Sequence, residues 1–236
     1  MRSNVRDGSS CSDLKEAIGQ VLPLAVAVAI SPLPIVAVVL MLVTPRARTN
    51  GPAFIVGWLG GLAVLGAVLL AIASGGDAGD DNQPADWVSV VELVLGVALL
   101  LLSIQQWRGR PRGGEEAPVP KWMGTLDGFT AVKALAAGAV LSSINPKNLL
   151  LAIAAAAEIS QTAISGSEQA AAWAVFALIA TAGVAVPVVI YFALGERAGP
   201  VLGSLKNWMA RNNRAVMAVL LLVIGAKLIG DGISGL

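Results

Sequence analysis

Asn145, Pro146 and Lys147 set a side-chain amide, a helix breaker and a cation side by side in the middle of an apolar run, residues 131–157. Proline removes a backbone donor and clashes with the carbonyl one turn back. Hydrocarbon cannot satisfy the freed groups, so such a break persists only against protein or a water-filled cavity. A charge at that depth costs at least about 2.5–3.5 kcal/mol. A proline kink with a snorkelling lysine is the plain alternative, but three such groups together favour a binding site. Ser31, Pro32 and Pro34 interrupt a second run, residues 18–43. Each break falls roughly fourteen residues into its run, about 21 Å along a helix. Matching broken segments in the two halves of a chain point to a transporter's binding site. Half-helix N-termini favour anions and freed carbonyls favour cations. Ser31, Pro32, Pro34, Ser143, Asn145, Pro146 and Lys147 are therefore the candidate substrate-binding residues. They suit a carboxylate, sulfate or phosphate, with apolar walls able to accept acyl chains.

The other ionisable groups inside apolar runs are Glu92, Lys133, Lys227 and Asp231. Lys133 and Asp231 lie near run ends, where they can reach headgroups. Glu92 and Lys227 are expected at similar depth, and the cost of leaving either charge alone makes them a candidate charge pair, with Lys147 as the other partner for Glu92. The chain has no histidine and one cysteine, Cys11. A histidine metal site, a His-dependent triad and an intramolecular disulfide are excluded. No nucleophile–base pair, phosphate loop or metal cluster accompanies the polar groups, so no enzyme, cofactor or nucleotide-driven cycle is expected. With a net charge of +1, nothing argues for nucleic acid.

Positioning those groups falls to a membrane-embedded helical scaffold. The 236 residues are 56% hydrophobic and 13% charged, with mean hydropathy +0.76, whereas a soluble domain carries about 25% charged residues. Spans of about 20 apolar residues are expected at 18–43, 52–73, 87–107, 131–157, 170–195 and 215–233. Residues 1–17 form a polar N-terminal segment, too charged for a signal peptide.

Basic residues fix the expected orientation. Arg46 and Arg48, then Arg108, Arg110, Arg112 and Lys121, then Arg197, Lys206, Arg211 and Arg214 occupy the odd loops. The second loop holds Asp77, Asp80, Asp81 and Asp86 without a basic residue, and the fourth, residues 158–169, has none either. The positive-inside bias places the odd loops in the cytoplasm and both termini outside the inner membrane. The Pro- and Gly-rich linker 108–130 separates a first three-span unit, 18–107, from a second, 131–236. With three spans in each, the second unit enters from the opposite side, an inverted repeat with broken first and fourth helices. Ser31-Pro32-Leu33-Pro34 pairs with Ser143-Ile144-Asn145-Pro146, Trp58 with Trp173, and Val94-Leu95-Gly96 with Val223-Ile224-Gly225.

Gly57, Gly60, Gly61, Gly66 and Gly183 are read as packing positions, and Pro187 as a kink or hinge. Trp87, Trp107, Trp122 and Trp208 are read as interfacial anchors.

At these same residues the sequence resembles the sulfolipid-addressing (peptidoglycolipid-addressing) proteins of the lysine-exporter superfamily. The resemblance rests on Ser31-Pro32-Leu33-Pro34, on Arg46-Ala47-Arg48-Thr49-Asn50-Gly51-Pro52 leading to Gly57-Trp58, and above all on Asn145-Pro146-Lys147-Asn148-Leu149. It implies six spans in two inverted repeats and the movement of a lipid or glycolipid from the cytoplasmic membrane towards an actinobacterial envelope. By match of position, Pro32, Pro34, Asn145, Pro146 and Lys147 would line the central site. The extension carrying Cys11 and the acidic second loop depart from the pattern. A lipid-synthesis enzyme or larger transporter is an expected partner, and the glycine faces make a homodimer reasonable. The superfamily also exports amino acids and metal ions, so a small-solute exporter on the same scaffold is the alternative. A non-transporting scaffold for a synthase complex is the third reading.

Overall fold

Each apolar run forms a helix, because a single segment in hydrocarbon has no other way to satisfy its own backbone. The computed structural model describes residues 4–75, 86–109, 129–162 and 164–234. These are 92% helix, with no strand among the described residues. The acidic second loop, most of the 108–130 linker with Trp122, and the side chains of Cys11 and Trp87 lie outside the described set.

Among the described residues eight α-helices follow in order: α1 (Asn4–Ala29), α2 (Pro32–Leu42), α3 (Ala47–Gly75), α4 (Asp86–Arg108), α5 (Ala131–Ser143), α6 (Pro146–Gln161), α7 (Gly166–Leu194) and α8 (Ala198–Ser234). Four helices among the described residues are long and apolar enough to cross a membrane, and up to six crossings result if each bent pair counts as one. The bent pairs are α1–α2, turned by 50°, and α5–α6, turned by 59°. Both bends lie at the expected breaks. Elsewhere the boundaries move. From Asn4 onward the polar segment before residue 18 is helical and part of α1. The second bent pair runs on to Gln161 rather than ending at 157. α8 is 37 residues long, so it carries a leading arm before its apolar part, Arg211–Ser234.

Most of the closest packing joins the first three-span unit to the second. α4 lies along α8, α3 along α5, and α1 against α7 and α6. Small residues permit that approach. A Cβ on Gly57 would sit 1.9 Å from the Leu135 carbonyl oxygen, and one on Gly61 would meet the Ser142 hydroxyl and the Ala139 backbone. Gly96 and Gly225 do the same between α4 and α8, where Ser103 Oγ also donates to the Ala218 carbonyl at 2.7 Å. Gly60 touches nothing, so it is not a packing position. Pro187 lies inside α7, which continues through it. Trp107 and Trp208 are about half exposed, as anchors should be, while Val64, Leu101, Leu178 and Val223 present an apolar outer surface.

Candidate functional site

The two breaks meet, and the missing proline donors decide how. Pro32 cannot supply the N–H that Val28 would normally receive. Ser31 N–H turns to the Val28 carbonyl instead, at 3.1 Å. The Ala27 carbonyl thereby loses its helical donor, and Lys147 Nζ takes its place at 2.6 Å. Lys147 is 9% exposed, so its charge points inward and does not snorkel. Ser31, Pro32 and Pro34 are all buried.

The second break is closed by its own asparagines. Asn145 caps α6, its Oδ1 accepting from the Lys147 backbone N–H at 3.2 Å, with Pro146 at the first helical position. Asn148 Nδ2 donates to the Leu141 carbonyl at 3.0 Å, which stabilises the C-terminal end of α5. Asn148 Oδ1 is buried without a partner. Ser143 Oγ folds back on the Ala139 carbonyl at 2.6 Å. Asn145 and Ser143 are half-buried, whereas Pro146 is exposed. The seven candidate residues are thus split. Ser31, Pro32, Pro34 and Lys147 face the interior where the breaks touch, while Pro146 sits on the outer flank.

Beside the first break, and lined by none of the seven candidate residues, lies an open cavity of about 270 Å³. Ala29, Ile30 and Ile35 form one wall, Gly183 and Pro187 of α7 another, and Leu205 and Met209 of the α8 arm a third. Every lining side chain is apolar. Gly183 is the position that allows this arrangement, since a Cβ there would lie 1.7 Å from the Ala29 carbonyl oxygen. Fold and cavity therefore depend on the same missing methyl group.

The expected charge pair is not formed. Glu92 contacts neither Lys227 nor Lys147; its carboxylate accepts from Gln161 Nε2 of α6. Lys227 instead ion-pairs with Glu158 of α6 and, at 2.6 Å, with Asp231 one turn along α8. Glu92 is 1% exposed and Glu158 3%. Its charged neighbours are Glu158, Asp231 and Lys227, so the predicted residues do share one cluster with different partners. Asp231 belongs to that cluster through Lys227. The sequence puts Glu158 in the fourth loop, because its charge ends the apolar run. Yet no proline or glycine follows before Gly166, and Lys227 and Asp231 stand at the i, i+4 spacing of helical ion pairs. Both signals were present in the chain.

No group of three or more His, Cys, Asp or Glu side chains among the described residues could hold a metal ion. The family of the sulfolipid-1-addressing protein (SfLAP, Sap) matches residues 21–234. No curated protein and no solved structure matches the chain.

Proposed function

The chain belongs to the sulfolipid-1-addressing protein family, and from that membership we propose that it moves a lipid or glycolipid from the cytoplasmic membrane towards the cell envelope, as the exporter or as an accessory to one. It does so without catalysis, by rearrangement at the two broken helices. The observation that carries this reading is the apolar cavity seated on the first break, between Pro187 and the α8 arm. A wall of aliphatic side chains accepts an acyl chain and offers a hydrophilic solute no hydrogen bond. That weighs against an amino acid or cation exporter on the same scaffold. Lys147 uses one of its three ammonium donors on Ala27, and the others suit an anionic headgroup oxygen.

The inverted-repeat reading draws support from the way contacts exchange between halves. α3 packs on α5 as α7 packs on α1, α3 on α6 as α7 on α2, and α4 on α6 as α8 on α2. Swapping the two three-span units turns each contact of a pair into the other. Six crossings, both termini outside the inner membrane and a place in the lysine-exporter superfamily belong to the same proposal. So do a lipid-synthesis or larger transport partner and a homodimer.

Lipid extracted from the purified full chain tests the reading. Wild-type protein is expected to retain acyl lipid that Met209→Trp, which fills the cavity, displaces. Equal lipid content in the two proteins, together with saturable efflux of a hydrophilic solute from vesicles, would overturn it.

A further inference from the structure

Away from the breaks, the end of the bundle where α4 begins carries a polar network that the lipid cavity does not use. Glu92 comes from α4, Glu158 and Gln161 from α6, and Lys227 and Asp231 from α8. Fully ionised, three carboxylates and one ammonium would leave a net charge of −2. Such an excess is costly at membrane depth, and like charges sharing a site do not all ionise. Lys227 is already committed to Glu158 and Asp231. Glu92, 1% exposed, is hydrogen-bonded to a neutral amide and, among the described residues, ion-paired with no cation.

We infer that the Glu92–Gln161 pair is a proton-binding site whose occupancy is tied to the position of α6. Gln161 suits both protonation states. Its NH₂ donates to a carboxylate, and its carbonyl oxygen accepts from a carboxylic acid after the amide turns. Asp231 is the more open carboxylate of the cluster, its side chain 39% exposed against 4% for Glu158. α6 then connects this site to the substrate region. From Gln161 and Glu158 it runs without interruption to Lys147, which holds the first break through Ala27. Loss of the proton adds a negative charge beside Glu158 and biases α6 against α4, which lies in the other three-span unit. The proton site stands on this cluster alone, whereas its use in lipid movement rests on the function proposed above.

Infrared difference spectra of the full chain in phosphatidylglycerol–phosphatidylcholine nanodiscs test the site. A protonated carboxyl band that shifts in D₂O and responds to buffer pH is expected. It should vanish in Glu92→Gln and persist in Glu16→Gln, a residue exposed on α1. Absence of that band from wild-type protein at every pH, or its persistence in Glu92→Gln, would overturn the site. A response to sodium at constant pH in place of the proton titration would overturn it as well. A second measurement follows a labelled anionic phospholipid between leaflets of proteoliposomes under an imposed pH gradient. A several-fold acceleration lost in Glu92→Gln is expected. Movement indifferent to the gradient defeats the coupling and leaves the lipid role standing. A titrating carboxyl without lipid movement defeats the lipid role and leaves the proton site.

Discussion

Lys147 Nζ donates to the carbonyl of Ala27 across 120 residues of sequence. This one bond fastens the start of α6 to the end of α1, so the two interruptions form a single joint. The cation replaces the N–H that proline and the tightened turn at Ser31 withdraw.

Lys147→Met keeps the bulk of the side chain and removes that donor, leaving a buried carbonyl unsatisfied. The expected loss is about 1–3 kcal/mol, read as a lower thermal midpoint of the full chain in detergent. Lys147→Arg, with donors of similar reach, should recover part of it. A midpoint unchanged in Lys147→Met would show that the joint does not depend on this bond.

The breaks themselves were legible in the chain, since proline chemistry is local and Ser31-Pro32-Leu33-Pro34 and Asn145-Pro146 dictate where a helix stops whatever surrounds them. What lay across from them was not. Whether Lys147 points to headgroups, to Glu92 or to a backbone oxygen depends on how α1 and α6 cross, and hydropathy carries no such information. Glu92 and Lys227 illustrate the same limit. Both contribute to one cluster, but only packing shows that Glu158, rather than Glu92, meets Lys227. The cavity was illegible for a further reason, because it needs Leu205 and Met209 from an arm of α8 that lies outside its apolar run.

Gly183 and Gly60 give a matched comparison. A methyl group at Gly183 collides with the Ala29 carbonyl at 1.7 Å, whereas one at Gly60 meets nothing within 4 Å. Gly183→Ala should cost about 1–3 kcal/mol through forced separation of α7 from α1, and should reduce bound lipid. Gly60→Ala should be neutral or slightly stabilising. Paired thermal melts and lipid counts on the two variants check both statements, and equal behaviour would remove the close-approach role from Gly183.

Asn148 stabilises the end of α5 through Leu141 while its own carbonyl oxygen stays unpartnered. Asn148→Leu loses the bond and also removes the unsatisfied oxygen, so the two effects oppose. A net cost below about 1 kcal/mol is expected, in keeping with side-chain hydrogen bonds between membrane helices. Asn148→Ala adds a void and should be worse by about 1 kcal/mol or more. Unfolding of the two variants in the same detergent gives the order, and Leu being worse than Ala would point to a second partner for the amide.

Partner choice in the charged cluster can be separated by two double-mutant cycles. Glu158 and Lys227 are in contact, so Lys227→Ala alone strands a buried carboxylate, whereas Glu158→Ala leaves the lysine its bond to Asp231. Each single change should cost up to about 3–5 kcal/mol, less for the half-exposed lysine than for the glutamate's enclosed environment. The double variant should be better tolerated than the worse single, with a coupling of about 0.5–3 kcal/mol. Glu92 and Lys227 share neighbours but no bond, and Gln161 stands as the hydrogen-bond partner of Glu92. Their cycle should return a coupling clearly smaller than that of Glu158 with Lys227. If the larger coupling belongs to Glu92 instead, then Lys227 changes partner in the membrane, and α4 is held to α8 by charge rather than by the glycine contacts at Gly96 and Gly225.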